Sequence, residues 1–412
     1  MVELIWDNKK EMLEEVNSEE FLKTDKHFEY NRDESRYFDT TENLYIEGDN
    51  LEALKLLQKD YNNKIKMIYI DPPYNTERKF IYNDTFRNKR KKECRHSGWL
   101  NMMYPRLKLA RDLLRDDGVI FISIDENEYD NLKKICDEIF GEQNFVANII
   151  WKRKRGRDNS ARWFSKSHEY LLVYAKQKSH FNTNYLALDS ETIKAYKNPD
   201  NDPRGEYRML ACWARGTQGG VEYDFLSKSG QYFSKRLWLF SKENLTKLDK
   251  NNRLIIKGDN IYRKLFISEN KGKTPETLWD NVSNAANASD EIKSLFDKII
   301  FDTSKPIPYI NQMLKIATEN DDIILDFFSG SSSTAHAVMQ LNAEDGGKRE
   351  FIMVQLPEEC PEKSEAKKEG YDNICEIGKE RIRRAGDKIL KDNKDKEGIE
   401  KLDIGFKVIK IK

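Results

Sequence analysis

The sequence lacks an apolar run long enough to cross a membrane, and its first residues do not show the charged-then-apolar order of a signal peptide. We therefore expect neither a membrane-spanning nor a secreted protein. Cysteine is also scarce, because the chain has five in 412 residues, an odd number without paired metal-ligand spacing. A disulfide framework and a zinc site are therefore excluded, and we expect a protein of the reducing cytoplasm.

A net charge is lacking as well, but the charges are unevenly distributed. Residues 1–60 contain eight basic and seventeen acidic side chains, whereas residues 151–178 contain nine basic and two acidic ones. A second basic cluster lies at 87–95, and Trp163 and Phe164 are interleaved with the cluster at 151–178. One such cluster alone is typical of a solvated surface, but two of them with aromatic residues favour a polyanionic partner.

The most informative feature that is present is Asp71-Pro72-Pro73-Tyr74, directly behind the apolar run at 67–70, which predicts a buried strand. Loops past the carboxyl ends of strands are where open α/β sheets perform their chemistry. The two prolines end the strand and fix φ, so the carboxylate and the phenol are held in place. Asp71 and the Pro72 carbonyl can accept both hydrogens of an exocyclic amino group while Tyr74 stacks on a flat base.

Strands alternate with helices over most of the chain. The pattern predicts strands near 44–46, 67–70, 119–124, 146–151, 170–174, 322–328 and 351–356, and helices near 51–57, 99–115, 126–140, 306–318 and 374–390. From about 179 to 290 this alternation gives way to short strands and turns. We therefore predict an α/β, doubly wound sheet interrupted by an insertion. The predicted parts are an acidic helical extension at 1–35, a discontinuous domain at 36–178 and 291–412, and an inserted domain at 179–290.

A second candidate site follows the predicted strand at 322–328, which leads into Ser329 and Gly330 and then into a helix that begins with small residues. Small residues let a ligand approach the backbone, and the free amides of a helix N-terminus suit a carboxylate or a phosphate. A single glycine falls short of the dinucleotide fingerprint, so a tight turn without a ligand is the alternative for this segment alone. Because Asp71 belongs to the same predicted sheet, we favour a ligand site.

Seven segments in order resemble the β group of S-adenosylmethionine-dependent DNA amino-methyltransferases, and most closely the modification (Mod) subunits of type III restriction–modification systems. These segments lie at 43–57, 66–76, 118–141, 166–176, 301–318, 321–340 and 350–358. In that group the catalytic motif precedes the cofactor motif and the target-recognition domain lies between them, as it does in this order of segments. The resemblance, over about 40–390, implies a Rossmann-like methyltransferase sheet with a target-recognition domain at 179–290.

The resemblance also implies roles for individual residues. Asp71, Pro72, Pro73 and Tyr74 match the catalytic motif, and Asp326, Phe328 and Gly330 match the cofactor motif, with Ser332 in place of its second glycine. Lys305 is expected near the methionine carboxylate, Asp49 near the adenine and Gln355 near the ribose hydroxyls of the cofactor. The full expected cofactor set is Asp49, Asn50, Asp71, Lys305, Asp326, Phe328, Ser329, Gly330, Ser331 and Gln355. The expected DNA contacts are Arg87, Lys89, Arg90, Lys152, Arg153, Lys154, Arg155, Arg157, Arg215 and Gln218.

The implied function is site-specific DNA methylation in a restriction–modification system, from S-adenosyl-L-methionine to the N6 amino group of a flipped adenine, without a metal. A motif that starts with Asp71 rather than serine resembles the adenine branch more than the cytosine-N4 branch. The implied partners are double-stranded DNA, a second copy of the chain and a restriction (Res) subunit, in the cytoplasm and at the nucleoid when bound to DNA.

Three alternatives stay open at this point. The acceptor could be the N4 amino group of cytosine or a base in RNA. The chain could be a DNA-binding subunit whose cofactor fold is not catalytic. A nucleotide-dependent oxidoreductase would use the same kind of sheet, but the missing glycines disfavour it.

Overall fold

The computed structural model describes residues 4–78, 80–82, 84–86 and 94–412. They divide into two compact units: a larger unit of residues up to Asn184 together with Pro275–Lys412, and a smaller unit, Tyr185–Thr274. The smaller unit lies inside the insertion predicted at 179–290, whereas residues 275–290 belong to the larger unit. Its role in target recognition stays a prediction.

The strands of the described ranges follow one another from the acidic N-terminal region to the last residues. In chain order they are β1 (Phe28–Arg36), β2 (Leu44–Glu47), β3 (Ile65–Ile70), β4 (Leu114–Ile124), β5 (Phe145–Trp151), β6 (Glu169–Ala175), β7 (Tyr207–Ala211), β8 (Val221–Leu226), β9 (Tyr232–Trp238), β10 (Leu254–Lys257), β11 (Asn260–Phe266), β12 (Leu278–Trp279), β13 (Ile323–Asp326), β14 (Glu350–Gln355) and β15 (Phe406–Ile411). Strands β7 to β11 belong to the smaller unit and the others to the larger one.

Helices connect these strands. In chain order they are α1 (Lys9–Val16), α2 (Asn50–Tyr61), α3 (Arg95–Leu113), α4 (Tyr129–Phe140), α5 (Ser190–Lys194), α6 (Lys242–Lys250), α7 (Ala285–Phe296), α8 (Ile307–Ala317), α9 (Ser333–Asp345), α10 (Glu365–Lys368) and α11 (Ile374–Asp392). Short 3₁₀ helices lie at Glu142–Asn144, Ile267–Glu269 and Ile399–Lys401. A side chain fixes the start of α2, because the Asp49 carboxylate accepts the backbone N–H of Leu51 at 2.8 Å and so caps the helix.

One mixed sheet organises the larger unit, with the strand order β1-β15-β2-β14-β13-β3-β4-β6-β5-β12. Its central strands from β15 to β4 are parallel, and β1, β6 and β5 pair antiparallel with a neighbour. Strands β3 and β14 are almost continuous apolar runs, as expected where helices cover both faces of a parallel sheet. This architecture confirms the predicted α/β, Rossmann-like fold.

The segment at 28–36 corrects one prediction. The sequence predicts a helical extension over 1–35, but β1 pairs antiparallel with β15, with Phe28 opposite Ile411 and Tyr30 opposite Ile409. β1 is an edge strand of mostly polar, partly exposed residues, so its own composition carries little signal for a strand. The apolar β15, far away in the sequence, supplies the pairing that decides its conformation.

The smaller unit consists of short antiparallel strands around an aromatic core. Strands β10, β11 and β7 form a three-stranded sheet, and β8 pairs with β9. Buried Trp238, Phe225 and Phe233 pack together there with Cys212 and Ile261. The unit therefore has a hydrophobic core of its own.

Two features are absent from the described residues. None of their helices combines the length and the apolar character that a membrane span requires. In the same part of the chain, no group of three or more His, Cys, Asp or Glu side chains is placed to hold a metal ion.

Candidate active site

The carboxyl ends of four neighbouring strands, β2, β14, β13 and β3, meet at one edge of the large sheet. Asp49 follows β2, Gln355 ends β14, Asp326 ends β13 and Asp71 follows β3. These four residues line one cavity of about 1020 Å³, its open mouth included. The crevice outside the carboxyl ends of the strands is where open α/β sheets bind ligands.

Every residue of the expected cofactor set lines this cavity: Asp49, Asn50, Asp71, Lys305, Asp326, Phe328, Ser329, Gly330, Ser331 and Gln355. Pro73 of the catalytic motif lines it too, and Pro72 lies buried beside it. The loop of residues 71–74, called the DPPY loop below, therefore borders the same space as the loop of residues 327–332, called the serine loop. The structure brings the two predicted motifs together.

Hydrogen bonds hold the DPPY loop in place. The Tyr74 hydroxyl donates to the Asp71 carboxylate at 2.7 Å, and the indole of the fully buried Trp99 donates to the Pro73 carbonyl at 2.7 Å. The next residue, Asn75, has a left-handed φ of 58°, which asparagine tolerates better than most residues. The carboxylate and the phenol are therefore ordered before any substrate arrives, which favours catalysis by positioning.

The Lys305 ammonium lies directly on the Asp71 carboxylate, 2.6 Å from both of its oxygens. It is also 3.1 Å from the Tyr74 hydroxyl and 3.7 Å from a Glu169 oxygen. Burial lowers the pKa of Lys305, but the two carboxylates outweigh this effect and raise the pKa above its ordinary value. Lys305 therefore stays charged and contacts the Asp71 carboxylate. It also lines the cavity, and its expected place near the methionine carboxylate stays a prediction.

Asp326 is buried at the end of β13 and accepts two hydrogen bonds. The Thr334 hydroxyl donates to it at 2.5 Å and the Phe328 backbone N–H at 3.1 Å. Burial raises the pKa of Asp326 to about 7, because these bonds stabilise the charged form only in part. Through these two hydrogen bonds the Asp326 carboxyl group holds the start of the serine loop in place.

The serine loop makes two turns in the left-handed region. Gly330 has a φ of 50° and Ser332 has a φ of 62°, at the position where the family pattern has its second glycine. The Gln355 side chain braces the loop, because its carbonyl accepts the Gly330 N–H at 2.7 Å and its amide donates to the Leu356 carbonyl at 3.1 Å. A contact of Gln355 with ribose hydroxyls stays a prediction.

The sequence analysis missed Arg106, which lines the cavity next to Asp49 and Asn50. Its guanidinium donates to the Asn50 side chain at 2.5 Å and pairs with the Asp49 carboxylate at 3.2 Å. The signal was a basic residue between the inward-facing Met103 and Leu107 of the predicted helix. An arginine on the apolar side of an amphipathic helix indicates a buried polar partner.

A second missed arginine, Arg381 in α11, lies behind the serine loop and is fully buried. Its Nη1 donates to the hydroxyls of Ser331 at 2.8 Å and Ser333 at 2.9 Å, and its Nη2 is 3.8 Å from the Glu291 carboxylate. Helical spacing separates it from the partly exposed Arg383 and Arg384, because it lies four residues after Ile377 and four before Ala385, on the buried face of α11. It places a positive charge behind two hydroxyl groups that line the cavity.

The sequence analysis also missed the apolar wall of the cavity. Aromatic and thioether side chains from three separate segments form it: Tyr82, Phe86, Met102 and Phe301. Such side chains suit the face of a flat ring. Their positions in the chain show no shared motif, so only the fold brings them together.

The chain is similar in sequence to a family of known proteins. The family model described as DNA methylase matches residues 65–369, about three quarters of the chain. The chain belongs to this DNA methylase family. The matched span includes both the DPPY loop and the serine loop.

Named relatives agree with the family match. The chain is 39% identical over 398 residues to the type III restriction-modification enzyme StyLTI Mod subunit of Salmonella typhimurium, covering 89% of this chain and 59% of that one. It is 35% identical over 436 residues to the EcoPI Mod subunit of Escherichia phage P1, covering 90% and 65%. It is 32% identical over 400 residues to the type II methyltransferase M.KpnI of Klebsiella pneumoniae, covering 87% and 92%. The chain thus spans about three fifths of the length of the Mod subunits it matches.

A solved structure, the PvuII cytosine-N4-specific DNA methyltransferase, aligns with 84% of this chain and 94% of its own, at 13% identity and a TM-score of 0.44. That similarity is too low to carry function from one protein to the other.

The expected DNA contacts of the chain fall into three groups. Arg87, Lys89 and Arg90 lie outside the described residues. Of the second group, Lys152, Lys154, Arg155 and Arg157 are exposed, and Arg153 pairs with Glu169 at 2.9 Å. Trp163 and Phe164, 79% and 91% exposed, follow in the same segment. The third group, Arg215 and Gln218, is exposed in the smaller unit, where the Arg215 backbone N–H donates to the Gln218 side chain at 3.0 Å.

Proposed function

We propose that this DNA methylase transfers a methyl group from S-adenosyl-L-methionine to the N6 amino group of adenine in double-stranded DNA, at a specific site. The observation that carries the proposal is the common cavity: Asp71 of the DPPY loop and Gly330 of the serine loop line the same space. The names of the relatives, which include three Mod subunits of type III enzymes and several type II methyltransferases, support it. The same names support a place in a restriction–modification system.

The residues of the cavity fit S-adenosylmethionine. The Ser329 hydroxyl is buried at the cavity and has no hydrogen-bond partner among the described residues, so it can bond a polar group of a ligand. Asp49, Asn50 and Gln355 would hold the nucleoside part. When bound, the cofactor supplies a methyl group on a sulfonium: the S–C bond breaks with its electron pair left on sulfur as the bond to N6 forms, and N6 releases one proton to water.

The chain's own contribution is to bind and orient the acceptor. Asp71 and the Pro72 carbonyl would accept the two amino hydrogens, which favours a nitrogen whose lone pair points towards the methyl group. The target base lies inside a duplex, so it is flipped out at a cost of a few kcal/mol. Stacking on Tyr74 would recover about 1–3 kcal/mol of that cost. Hydrogen bonds already order the DPPY loop, so the substrate does not have to fix the conformation of this loop when it binds.

The remaining roles belong to this proposal. The exposed basic and aromatic side chains of residues 152–166 would contact the DNA backbone and unstacked bases, and Arg215 and Gln218 of the smaller unit would take part in reading the sequence. The Mod relatives also support a restriction subunit as a partner. A second copy of the chain as a partner, and the cytoplasm and its nucleoid as the location, stay predictions.

Transfer of a labelled methyl group tests the function. The 412-residue chain is incubated with S-adenosylmethionine carrying a tritiated methyl group and long plasmid DNA from a host without adenine methylation. We expect label in N6-methyladenine after nucleoside analysis, a loss of at least 100-fold in Asp71→Ala, and normal transfer in the control Asp321→Ala, which removes an exposed carboxylate before β13. Label in N4-methylcytosine or in RNA would select those acceptors, and DNA binding without transfer would indicate a non-catalytic subunit.

A further inference from the structure

Four alternating charges lie in a row behind the DPPY loop. The Asp71 carboxylate binds Lys305 at 2.6 Å, the Lys305 ammonium is 3.7 Å from Glu169, and Glu169 pairs with Arg153 at 2.9 Å. The Glu169 and Lys305 side chains are buried, whereas the Arg153 side chain is 42% exposed. The row therefore leads from the catalytic acid to a side chain that a phosphate can reach.

The ion pair of Lys305 and Asp71, at the inner end of this row, competes with the proposed binding of an amino group by Asp71. Both carboxylate oxygens lie 2.6 Å from one ammonium nitrogen, and the Tyr74 hydroxyl donates to one of them as well. An amino group on a base has to compete with a full positive charge for these acceptors. Movement of the ammonium away from Asp71 would free both carboxylate oxygens for an amino hydrogen of the base.

Glu169 is placed to receive that ammonium. It begins β6, its side chain is 8% exposed, and one oxygen accepts the Tyr74 hydroxyl at 3.3 Å while the same oxygen faces Lys305. A shift of about an ångström would bring Lys305 within hydrogen-bond distance of Glu169. The other Glu169 oxygen is neutralised by Arg153, which lowers the attraction of Glu169 for a second cation.

We propose that Glu169 is a positioning residue that takes over the Lys305 ammonium when the amino group of the target base occupies Asp71. Arg153 leaves Glu169 for a DNA phosphate in the same step, and this exchange strengthens the pull of Glu169 on Lys305. Arg153 lies between the exposed Lys152 and Lys154, in the segment that would contact DNA. The inference rests on the proposed function and adds to it a link between DNA contact and the release of the catalytic acid.

A plain structural reading of Glu169 is that it only anchors the backbone at Arg153. The two hypotheses predict different activities for two variants. If Glu169 serves Arg153 alone, Glu169→Gln and Arg153→Met break the same ion pair and impair transfer equally. If Glu169 serves Lys305, Glu169→Gln leaves the ammonium on Asp71, whereas Arg153→Met leaves Glu169 free to attract it.

The experiment compares four variants of the full chain with the parent in the tritium transfer assay, with kcat and the KM for DNA measured separately. S-adenosylmethionine affinity is measured without DNA by calorimetric titration. We expect Glu169→Gln to lower kcat at least 30-fold with cofactor affinity within threefold, and Glu169→Asp to restore kcat to within tenfold of the parent. Arg153→Met should keep kcat within threefold and raise the KM for DNA at least threefold.

The matched control is Asp322→Asn, which neutralises a buried carboxylate that pairs with Arg115 at 2.8 Å before β13. It should keep kcat within threefold. Equal kcat losses in Glu169→Gln and Arg153→Met, or a Glu169→Gln kcat within threefold of the parent, would overturn the inference alone. A loss of cofactor affinity in Glu169→Gln that matches its loss of kcat would do the same. Absence of transfer by the parent chain would overturn the proposed function and this inference together.

Discussion

Replacement of Arg381 by methionine tests why a charged side chain is buried behind the serine loop. The guanidinium donates to Ser331 and Ser333, but its Nε and Nη2 atoms have no hydrogen-bond partner among the described residues. The Glu291 carboxylate is 3.8 Å away, too far for a hydrogen bond. Arg381 is therefore a poorly compensated buried cation.

The magnitude of the stability change follows from opposing contributions. Burial lowers the pKa of Arg381 to about 10, with partial compensation by Glu291, so the protein disfavours the charged form by about 3 kcal/mol. Loss of the bonds to Ser331 and Ser333 costs about 1.5–3 kcal/mol each, while relief of the two unpaired nitrogen atoms gains about 1–3 kcal/mol each. We expect Arg381→Met to change the free energy of unfolding by less than about 2 kcal/mol, as with other buried charges replaced by apolar residues.

Arg381→Met should change the affinity for S-adenosylmethionine more clearly than the free energy of unfolding. Without the guanidinium, the hydroxyl groups of Ser331 and Ser333 lose the donor that orients them along the cavity. Loss of one hydrogen bond to a charged group, at about 1.5 kcal/mol, corresponds to roughly tenfold in affinity. Calorimetric titration with S-adenosylmethionine should therefore show about tenfold weaker binding by Arg381→Met, and an intermediate value for Arg381→Lys.

Arg349 provides the matched control for the stability measurement. It is also buried, but its guanidinium is satisfied by the Thr318 hydroxyl at 2.9 Å and the Asp345 carboxylate at 3.0 Å. Arg349→Met should lower the free energy of unfolding in urea by about 3 kcal/mol, the lower end for breaking a buried pair, with cofactor affinity within twofold of the parent. If Arg381→Met is as destabilising as Arg349→Met, or binds the cofactor normally, the reasoning is refuted.

Three further perturbations have measurable outcomes. Burial raises the pKa of Glu291 from 4.5 to about 7, so the folded chain keeps a proton that the unfolded chain releases, and the free energy of unfolding should fall by about 3 kcal/mol as pH rises through this window. Urea denaturation at pH 5 and pH 8 should show this fall in the parent and a flatter dependence in Glu291→Gln. Ser332→Gly should raise the free energy of unfolding by about 1 kcal/mol, because a left-handed φ costs a serine about 1–2 kcal/mol. The greater backbone entropy that glycine loses on folding offsets about 0.5–1 kcal/mol of this gain. Unchanged stability in calorimetry would contradict this prediction. Alanine at both Trp163 and Phe164 should leave stability within about 0.5 kcal/mol but weaken binding to a duplex at least about tenfold by fluorescence anisotropy, because both rings are exposed.

The elements that the sequence predicts correctly carry their signal locally. The apolar runs at 67–70 and 322–328 indicate β3 and β13, and Asp49 starts α2 as expected. Because β13 pairs in parallel with β3, their carboxyl ends share one edge of the sheet. The common cavity of the two motifs is therefore predictable from the pattern of strands and loops alone.

The features that the sequence does not reveal depend on contacts between distant residues. β1 is polar, and its strand conformation comes from β15. Lys305 and Asp71 are 234 positions apart, and neither neighbourhood indicates the ion pair. Arg381 donates to the hydroxyls of Ser331 and Ser333, which lie 50 and 48 positions earlier in the chain. In each case the partner, rather than the local pattern, determines the structure.

The position of β13 in the sheet has a consequence for synthesis of the chain. β13 lies between β14 and β3, so the sheet is completed in its middle by strands made after the smaller unit. While the ribosome translates residues 185–322, one side of β3, a strand of mostly apolar residues, has no pairing partner. Such a nascent chain exposes a strand edge that invites wrong pairing. We therefore expect chaperone binding to ribosome-bound chains to end once 323–326 and 350–355 have emerged.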